Sequence, residues 1–266
     1  MSYKVKIPNL VVLGSQKSGT TTLHSVLASH PDVFMSSPVK EAHFFYPEDL
    51  LAGYAARKGY AQAVNREDYA LKNMLVGYNG ERYFGESCPN YTYADSATKR
   101  RIPQNMAALS PDLRFIFIMR NPVERIISTY FHWRRHAKSS APFSQFMQER
   151  GNMAVETSLY WKQLERYFAF FDQDRFHLAT FETFVENQNE ECNKIFSFLG
   201  LPPCDVKAEH KNYNRLRAEE VKTISFSRTD IEDIQAQVAA DLELLEKNTN
   251  FSVPSWDLSG EVVREN

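Results

Sequence analysis

Residues 8–27 read PNLVVLGSQKSGTTTLHSVL, a pattern that predicts a β-strand, a glycine-bounded loop and an α-helix in succession. The run Leu10–Leu13 is short and wholly apolar, which is typical of a strand buried on both faces. Three threonines open the helix predicted over Thr20–Ser29. In such a turn the backbone N–H groups and the positive end of the helix dipole point at one place. The segment therefore predicts an anion site, to which Lys17 adds a full positive charge.

The order of residues in this loop differs from that of nucleotide triphosphatases. Their loop ends in Gly-Lys-Ser/Thr, whereas this chain has Lys17 two positions before Gly19. A lysine at the loop apex can reach a group that is being transferred from the terminal phosphate. The clearest buried strand, RFIFIM at Arg114–Met119, runs into Arg120, where triphosphatases usually carry an Asp for Mg²⁺. A positively charged residue at that strand end predicts a binding site for a second anionic group.

Strands and helices alternate along the rest of the chain. Further strands are predicted at Val33–Met35, Tyr83–Glu86 and Arg175–Ala179. Helices are predicted at Asp49–Tyr78, Ser96–Leu109, Pro122–Lys138, Leu159–Phe171, Thr183–Leu199 and Thr229–Lys247, with Asn121 as an N-cap and Gly200 as a stop. The expected fold is α/β: a P-loop-like open parallel sheet flanked by helices on both faces, with a helical C-terminal part. No repeat or linker divides the sequence, so one domain is expected over residues 1–266.

Composition excludes several function classes. The 31 Lys+Arg residues balance 33 Asp+Glu residues, giving a net charge of -2 in a chain of 266 residues. The chain as a whole therefore has no positive electrostatic field that would bind a nucleic acid non-specifically. Three cysteines without a CxxC pair indicate a reducing compartment, and the cytoplasm is expected. No segment approaches the roughly 18 to 20 apolar residues that span a bilayer, so no membrane partner is expected. The sequence gives no indication of an oligomeric state.

Four segments together resemble a known family: LGSQKSGTTTL, KEAHFF, RFIFIMRNPVERIISTY and the terminal helix leading to Trp256. They are similar to the sulfotransferases that use 3′-phosphoadenosine 5′-phosphosulfate (PAPS), especially the branch with glycosaminoglycan sulfotransferases and bacterial relatives. The first and third segments are the specific ones. The resemblance implies transfer of a sulfuryl group from PAPS to a hydroxyl, less often a nitrogen, of an acceptor. We expect a small-molecule acceptor, such as a natural product, and no metal.

The first and third segments supply the cofactor-binding residues that the resemblance implies. The 5′-phosphosulfate is expected to bind to Lys17, Ser18, Gly19, Thr20 and Thr21, and the 3′-phosphate to Arg120 and Ser128. Lys17 is also expected to be catalytic, because an ammonium at the bridging oxygen stabilises the leaving phosphate more in the transition state than in the ground state. The planar fork of Arg120 suits a phosphate.

The second segment, Lys40–Phe45, offers two catalytic bases. Glu41 matches the position of the general base in the glycan branch, and a carboxylate beside a desolvating aromatic pair can be brought into working range. His43 has the more convenient ordinary pKa. We favour Glu41 as the base and His43 as a residue that orients the acceptor. A surface pair between Glu41 and Lys40 is the structural alternative.

The sequence also departs from the family. Where glycan sulfotransferases have Glu-Lys-Thr-Pro, residues 86–89 read ESCP, and this weakens a glycan assignment. The cofactor loop near the C-terminus of that branch is missing, and Arg215 in HKNYNRLR is the expected substitute. The basic stretch at residues 132–138 is a candidate contact for an anionic acceptor, although a solvated helix face is favoured. Aromatic residues at 54–78 and 160–171 are candidates for an acceptor pocket or, alternatively, for the core.

Two other functions stay open at the level of sequence. One is a P-loop small-molecule kinase with a displaced lysine, which would bind ATP with Mg²⁺. The other is a non-catalytic nucleotide-binding protein on the same fold, in which a Glu41→Gln substitution would change no turnover.

Overall fold

A computed structural model describes residues 6–93, 101–137, 140–206 and 228–258. Its strands are β1 (Leu10–Gly14), β2 (Val33–Met35), β3 (Tyr83–Ser87), β4 (Arg114–Met119) and β5 (Phe176–Thr180). Its helices are α1 (Thr20–Leu27), α2 (Glu48–Lys58), α3 (Arg66–Asn73), α4 (Ile102–Leu109), α5 (Pro122–Ala137), α6 (Phe143–Glu156), α7 (Tyr160–Phe168), α8 (Phe181–Glu186), α9 (Gln188–Phe198) and α10 (Arg228–Asn248). Short 3-10 turns lie at Pro89–Tyr91 and Gln173–Arg175.

The described strands form one parallel sheet in the order β2-β3-β1-β4-β5. The chain leaves β1 toward β2 and leaves β4 toward β5, so consecutive connections diverge from the adjacent strands β1 and β4. In open parallel sheets this reversal leaves a crevice at the carboxyl ends of the strands, where ligands bind. The loops after β1 and β4 carry Lys17 and Arg120, and the topology places both at that crevice.

Helices cover both faces of the sheet, as predicted. Val11 and Leu13 of β1 belong to one apolar core, which also includes residues of α2, α7 and α10. Leu10 and Val12 point the other way, into a second core with α1 and α9. This explains why β1 is apolar at every position instead of alternating. A third core joins α5, α6 and α10 and forms the helical part beside the sheet.

Two helix predictions were wrong in extent, and one helix was missed. The stretch expected to be helical over 49–78 holds two helices, because Gly59 adopts φ +69° and ends α2. The helix expected over 183–199 begins at Phe181 and is divided at Asn187, whose φ of −131° and ψ of 49° are not helical. Helix α6 was not predicted at all.

Other boundaries agree closely with the predictions. The side chain of Asn121 accepts hydrogen bonds from the backbone N–H groups of Val123 at 3.0 Å and Glu124 at 3.3 Å, which is the expected N-cap of α5. Gly200 follows α9 with φ +65°. The start expected at Ser96 and the end expected at Lys138 lie outside the described residues. Within the described ranges, no helix combines the length and apolar character needed to cross a membrane.

Candidate active site

The loop between β1 and α1 presents an unusual backbone at its apex. Lys17 has φ +71° and Gly19 has φ +81°, both in the left-handed region. The backbone N–H of Ser15 donates to the carbonyl of Ile118 on β4 at 2.7 Å, and the hydroxyls of Ser15 and Ser18 lie 2.6 Å apart. These bonds fix the loop against the neighbouring strand. The apex therefore has a defined shape before any ligand arrives.

Gly19 is required at the start of α1 for two reasons. Its positive φ strains any other residue, and a Cβ there would lie 2.9 Å from the ring of Phe181. Gly19 is also the N-cap, and among the described residues no side chain caps the helix. The N–H groups of the first turn, at Thr20 and Thr21, are thus left for an anion. Thr20 is buried and Thr21 is exposed.

Arg120 leaves the end of β4 and reaches the loop that carries Lys17. Its Nη1 lies 3.5 Å from the backbone carbonyl of Lys17, and its Nη2 donates to Glu124 at 3.1 Å. The guanidinium stacks over the Phe181 ring at 4.9 Å. Tyr160 holds the backbone of Arg120, accepting from its N–H at 3.2 Å and donating to its carbonyl at 2.5 Å. The two segments predicted to bind one nucleotide are therefore neighbours.

Ser128 lies on α5, two turns beyond Asn121. Its side chain belongs to the buried side of that helix, with 9% of the residue exposed. Arg215, predicted to complete the cofactor site, lies outside the described residues.

The charge around Lys17 is strongly positive. Burial, together with the charges of Arg135, Arg120 and Arg125, lowers the pKa of Lys17 to about 8, against an opposing effect of the Glu41 charge. Lys17 and three arginines thus contribute four interacting positive charges to this region, with one carboxylate, Glu41. A multiply charged anion suits such a cluster, because it would relieve the repulsion among the cations. The donor set therefore fits a phosphosulfate.

Arg125 and Arg135 were not among the predicted site residues. Arg125 is fully buried and donates to the hydroxyl of Ser158 at 2.7 Å and to the loop carbonyl of Gln16 at 3.4 Å. Burial lowers its pKa to about 10. Arg135 is exposed, yet its charge acts on Lys17 more than that of Arg120 does. The exposure of Arg135 agrees with the solvated helix face favoured for residues 132–138.

Glu41 and His43 lie on the segment between β2 and α2. The Glu41 carboxylate is 39% exposed and pairs with Lys40 at 3.4 Å, which realises the surface pair considered from the sequence. The same carboxylate acts electrostatically on Lys17. The Glu41 charge therefore acts on the anion site, and its carboxylate is partly exposed.

His43 is fully buried with φ +56°. Its Nδ1 lies 2.7 Å from the carbonyl of Glu41 and its Nε2 lies 3.3 Å from the amide nitrogen of Asn90. Since a carbonyl only accepts, Nδ1 carries the proton, and Nε2 accepts from Asn90. Both ring nitrogens are thus engaged in holding the ring. The His43 ring is thus closed to solvent, whereas the Glu41 carboxylate is partly exposed.

The fully buried carboxylate beside this segment is Glu86, not Glu41. Glu86 is fully buried and accepts hydrogen bonds from the Phe44 N–H at 3.5 Å and from the hydroxyl of Tyr91. Burial raises its pKa to about 7. Sequence reasoning noted only the serine at position 87 where the family has lysine. That serine lies 3.0 Å from the Nδ1 of His24.

The aromatic residues divide between pocket and core. The ring centroid of Tyr54 lies 3.9 Å from that of His43, and that of Tyr60 lies 5.9 Å from that of Tyr54, so these two tyrosines lie on the side of the segment that carries His43. Tyr160 and Tyr167 are fully buried and belong to the core. The pocket role considered for residues 160–171 is thus not supported. Within the described residues, no cluster of three His, Cys, Asp or Glu side chains is arranged to hold a metal ion.

Residues 8–240 match the family model described as the sulfotransferase domain. The chain belongs to this sulfotransferase family. Among curated proteins it is 25% identical over 209 residues to the mouse heparan sulfate glucosamine 3-O-sulfotransferase 5. That match covers 74% of this chain and 55% of the relative, so the chain spans about half the length of that enzyme.

Solved sulfotransferase structures have the same fold. A sulfotransferase from Alicyclobacillus acidocaldarius superposes with a TM-score of 0.74 at 24% identity, covering 95% of this chain and 99% of that one. The mouse sulfotransferase SULT7A1, which is complexed with PAP, has a TM-score of 0.54 at 13% identity, with 92% and 90% covered. The P-loop-like α/β fold predicted from the sequence is therefore confirmed.

Proposed function

We propose that this protein transfers a sulfuryl group from PAPS to a hydroxyl group of a small-molecule acceptor and releases adenosine 3′,5′-bisphosphate (PAP). The observation that carries the proposal is the contact between the Lys17 loop and Arg120, because it puts two anion-binding groups at one crevice. The family supports PAPS as the donor, and a solved relative of the same fold is complexed with PAP. We propose one domain over residues 1–266, working in the cytoplasm.

Each predicted residue has a role in this proposal. Lys17, Ser18, Gly19, Thr20 and Thr21 bind the 5′-phosphosulfate, while Arg120, Ser128 and Arg215 bind the 3′-phosphate and its surroundings. Arg125 donates a hydrogen bond to the Gln16 carbonyl and so supports the loop that carries Lys17. Glu41 removes the acceptor proton. The sequence predicts that His43 orients the acceptor, but its ring is fully buried and both of its nitrogens are bonded, so its role here is to hold the segment that carries Glu41.

The proposed reaction breaks the bond between sulfur and the bridging phosphate oxygen and forms a bond between sulfur and the acceptor oxygen. The acceptor proton passes to Glu41, and the negative charge that develops on the phosphate is stabilised by Lys17. A sulfuryl group carries less negative charge than a phosphoryl group. For this reason lysine and backbone N–H groups can supply the stabilisation that kinases draw from Mg²⁺, and we propose no metal.

A small acceptor is favoured by the walls beside Glu41. Tyr54 and Tyr60 line this side with aromatic surface, and the family lysine at position 87 is a serine here. The heparan sulfate relative is named for a glycan substrate. An acceptor screen that pairs small phenols and alcohols with heparan sulfate oligosaccharides decides between the two classes.

Isothermal titration and transfer from radiolabelled PAPS test the proposal. We expect the protein to bind PAP without Mg²⁺, to ignore ATP and to transfer label to a small hydroxyl acceptor. Glu41→Gln should lower kcat by about 10² to 10⁴-fold while leaving PAP affinity unchanged. Tight binding of ATP with Mg²⁺, or a Glu41→Gln variant with wild-type turnover, would contradict it.

A further inference from the structure

The segment at residues 41–46, which carries Glu41 and His43, is held by buried side chains from three other parts of the chain. On α3, the Tyr69 hydroxyl donates to the Ala42 carbonyl at 2.6 Å, and Arg66 donates to the carbonyls of Phe44 and of Tyr46, the latter at 2.7 Å. The Phe44 and Phe45 N–H groups donate to Glu86 and to the Tyr91 hydroxyl. Five backbone groups of this segment are thus bound by specific side chains.

Glu86 lies at the centre of this arrangement. It is fully buried at the end of β3 and accepts from both the Phe44 N–H and the Tyr91 hydroxyl. Since the Tyr91 proton points to Glu86, the lone pairs of that hydroxyl are left to accept the Phe45 N–H at 3.0 Å. Glu86 therefore fixes two consecutive amides, one directly and one through Tyr91.

The chemistry of these partners selects an ionised carboxylate. Both groups that face Glu86 are donors, and a carboxylate is acceptor-only. A protonated acid, or an amide in its place, must direct a hydrogen toward one of the two donors, which leaves a buried donor unsatisfied or reorients Tyr91. The segment is thus built around a negative charge at position 86.

We propose that Glu86 is a positioning residue, whose carboxylate holds segment 41–46 in the conformation that presents Glu41 to the acceptor. The inference rests on the function proposed above. His43 supports it, because a non-glycine residue at φ +56° persists only where its surroundings impose that conformation.

A pH effect on turnover follows from the burial of this carboxyl. Burial raises the pKa of Glu86 to about 7, so the carboxylate form is gained as pH rises through that value. The titratable and charged groups that act on it are Tyr91 and Cys88 beside its own strand, Arg66 and Tyr69 from α3, and Glu41 from the held segment. We expect kcat to rise through a step near pH 7 as the segment becomes correctly held.

The test compares Glu86→Gln with Glu191→Gln, a matched change at a buried glutamate on α9. Three properties are measured: the pH profile of kcat, the KM for PAPS, and NMR hydrogen exchange of the Phe44 and Phe45 amides. Glutamine copies the protonated form. Glu86→Gln should therefore lower kcat at pH 8 about tenfold or more, abolish the step near pH 7, leave KM for PAPS unchanged and speed exchange of both amides. Glu191→Gln should match the wild type.

A second variant covers the case in which Glu86→Gln does not fold. The Tyr91 hydrogen bond lowers the pKa of Glu86, so Tyr91→Phe should move the step in kcat to higher pH. The proposal is overturned if Glu86→Gln keeps the wild-type profile and amide protection, or if Tyr91→Phe leaves the step in place. Failure of the proposed function looks different, since then the wild type transfers no sulfuryl group, and amide exchange alone decides whether Glu86 holds the segment.

Discussion

The pKa of Lys17 predicts how PAP binding depends on pH. Burial and three arginines lower this pKa to about 8, so raising the pH through that value removes a positive charge from the free site. The protonated fraction falls from about nine-tenths at pH 7 to about one-tenth at pH 9. If anion binding needs the charged form, PAP affinity should fall about tenfold over this interval, which corresponds to about 1.4 kcal/mol.

Isothermal titration with PAP at pH 7 and pH 9 measures this effect. The ligand phosphates have a second pKa near 6, so their charge changes little over the interval. Two variants isolate the lysine: Lys17→Arg stays charged and should lose no affinity between the two pH values, and Lys17→Ala should bind weakly at both. The reasoning is refuted if the wild type binds equally well at pH 9, or if Lys17→Ala shows the same tenfold loss.

Two further predictions concern the helix that begins at the loop. Gly19→Ala should lower Tm and weaken PAP binding, because alanine is strained at φ +81° and its Cβ would lie 2.9 Å from Phe181. The control is Gly53→Ala in α2, where a Cβ meets nothing within 4 Å, and this change should raise Tm. Equal effects of the two changes on Tm would contradict the prediction. Burial lowers the pKa of His24 to about 4, so the native state is favoured with His24 neutral, and about 3 kcal/mol of stability should be lost as pH falls from 6.5 to 4. Urea unfolding of His24→Asn should show a smaller acid loss than the wild type; an unchanged loss would contradict this assignment.

The elements proposed to bind the nucleotide were predictable because their signals are local. An apolar strand buried on both faces, a glycine needed at positive φ and an Asn-Pro helix start all act within a few residues. The position of Lys17 two residues before Gly19, which distinguishes this loop from that of nucleotide triphosphatases, is likewise visible in the loop sequence alone. Because β1 and β4 are neighbours in the sheet, the loops that follow them lie side by side and form the candidate site.

The missed features depend on distant partners. The setting of Glu86 requires Phe44 and Tyr91, and nothing in the sequence YFGES distinguishes a buried carboxylate from a surface one. Arg125 reads as an ordinary helical arginine, although it occupies the buried face of α5, four residues before Thr129, to which it donates at 3.3 Å. Its charge is balanced by carbonyls and hydroxyls from other elements. Such compensation exists only in three dimensions.

The most direct test of the account compares PAP with adenosine 5′-monophosphate, which lacks the 3′-phosphate, by titration against the wild type, Arg120→Ala and Lys17→Ala. One nucleotide held between the Lys17 loop and Arg120 predicts that losing the 3′-phosphate weakens binding to the wild type by about 10 to 100-fold. The same loss should cost Arg120→Ala little, and Lys17→Ala should keep the wild-type ratio while binding both nucleotides more weakly. An unchanged ratio in Arg120→Ala would show that Arg120 does not contact the 3′-phosphate, and the central claim would be wrong.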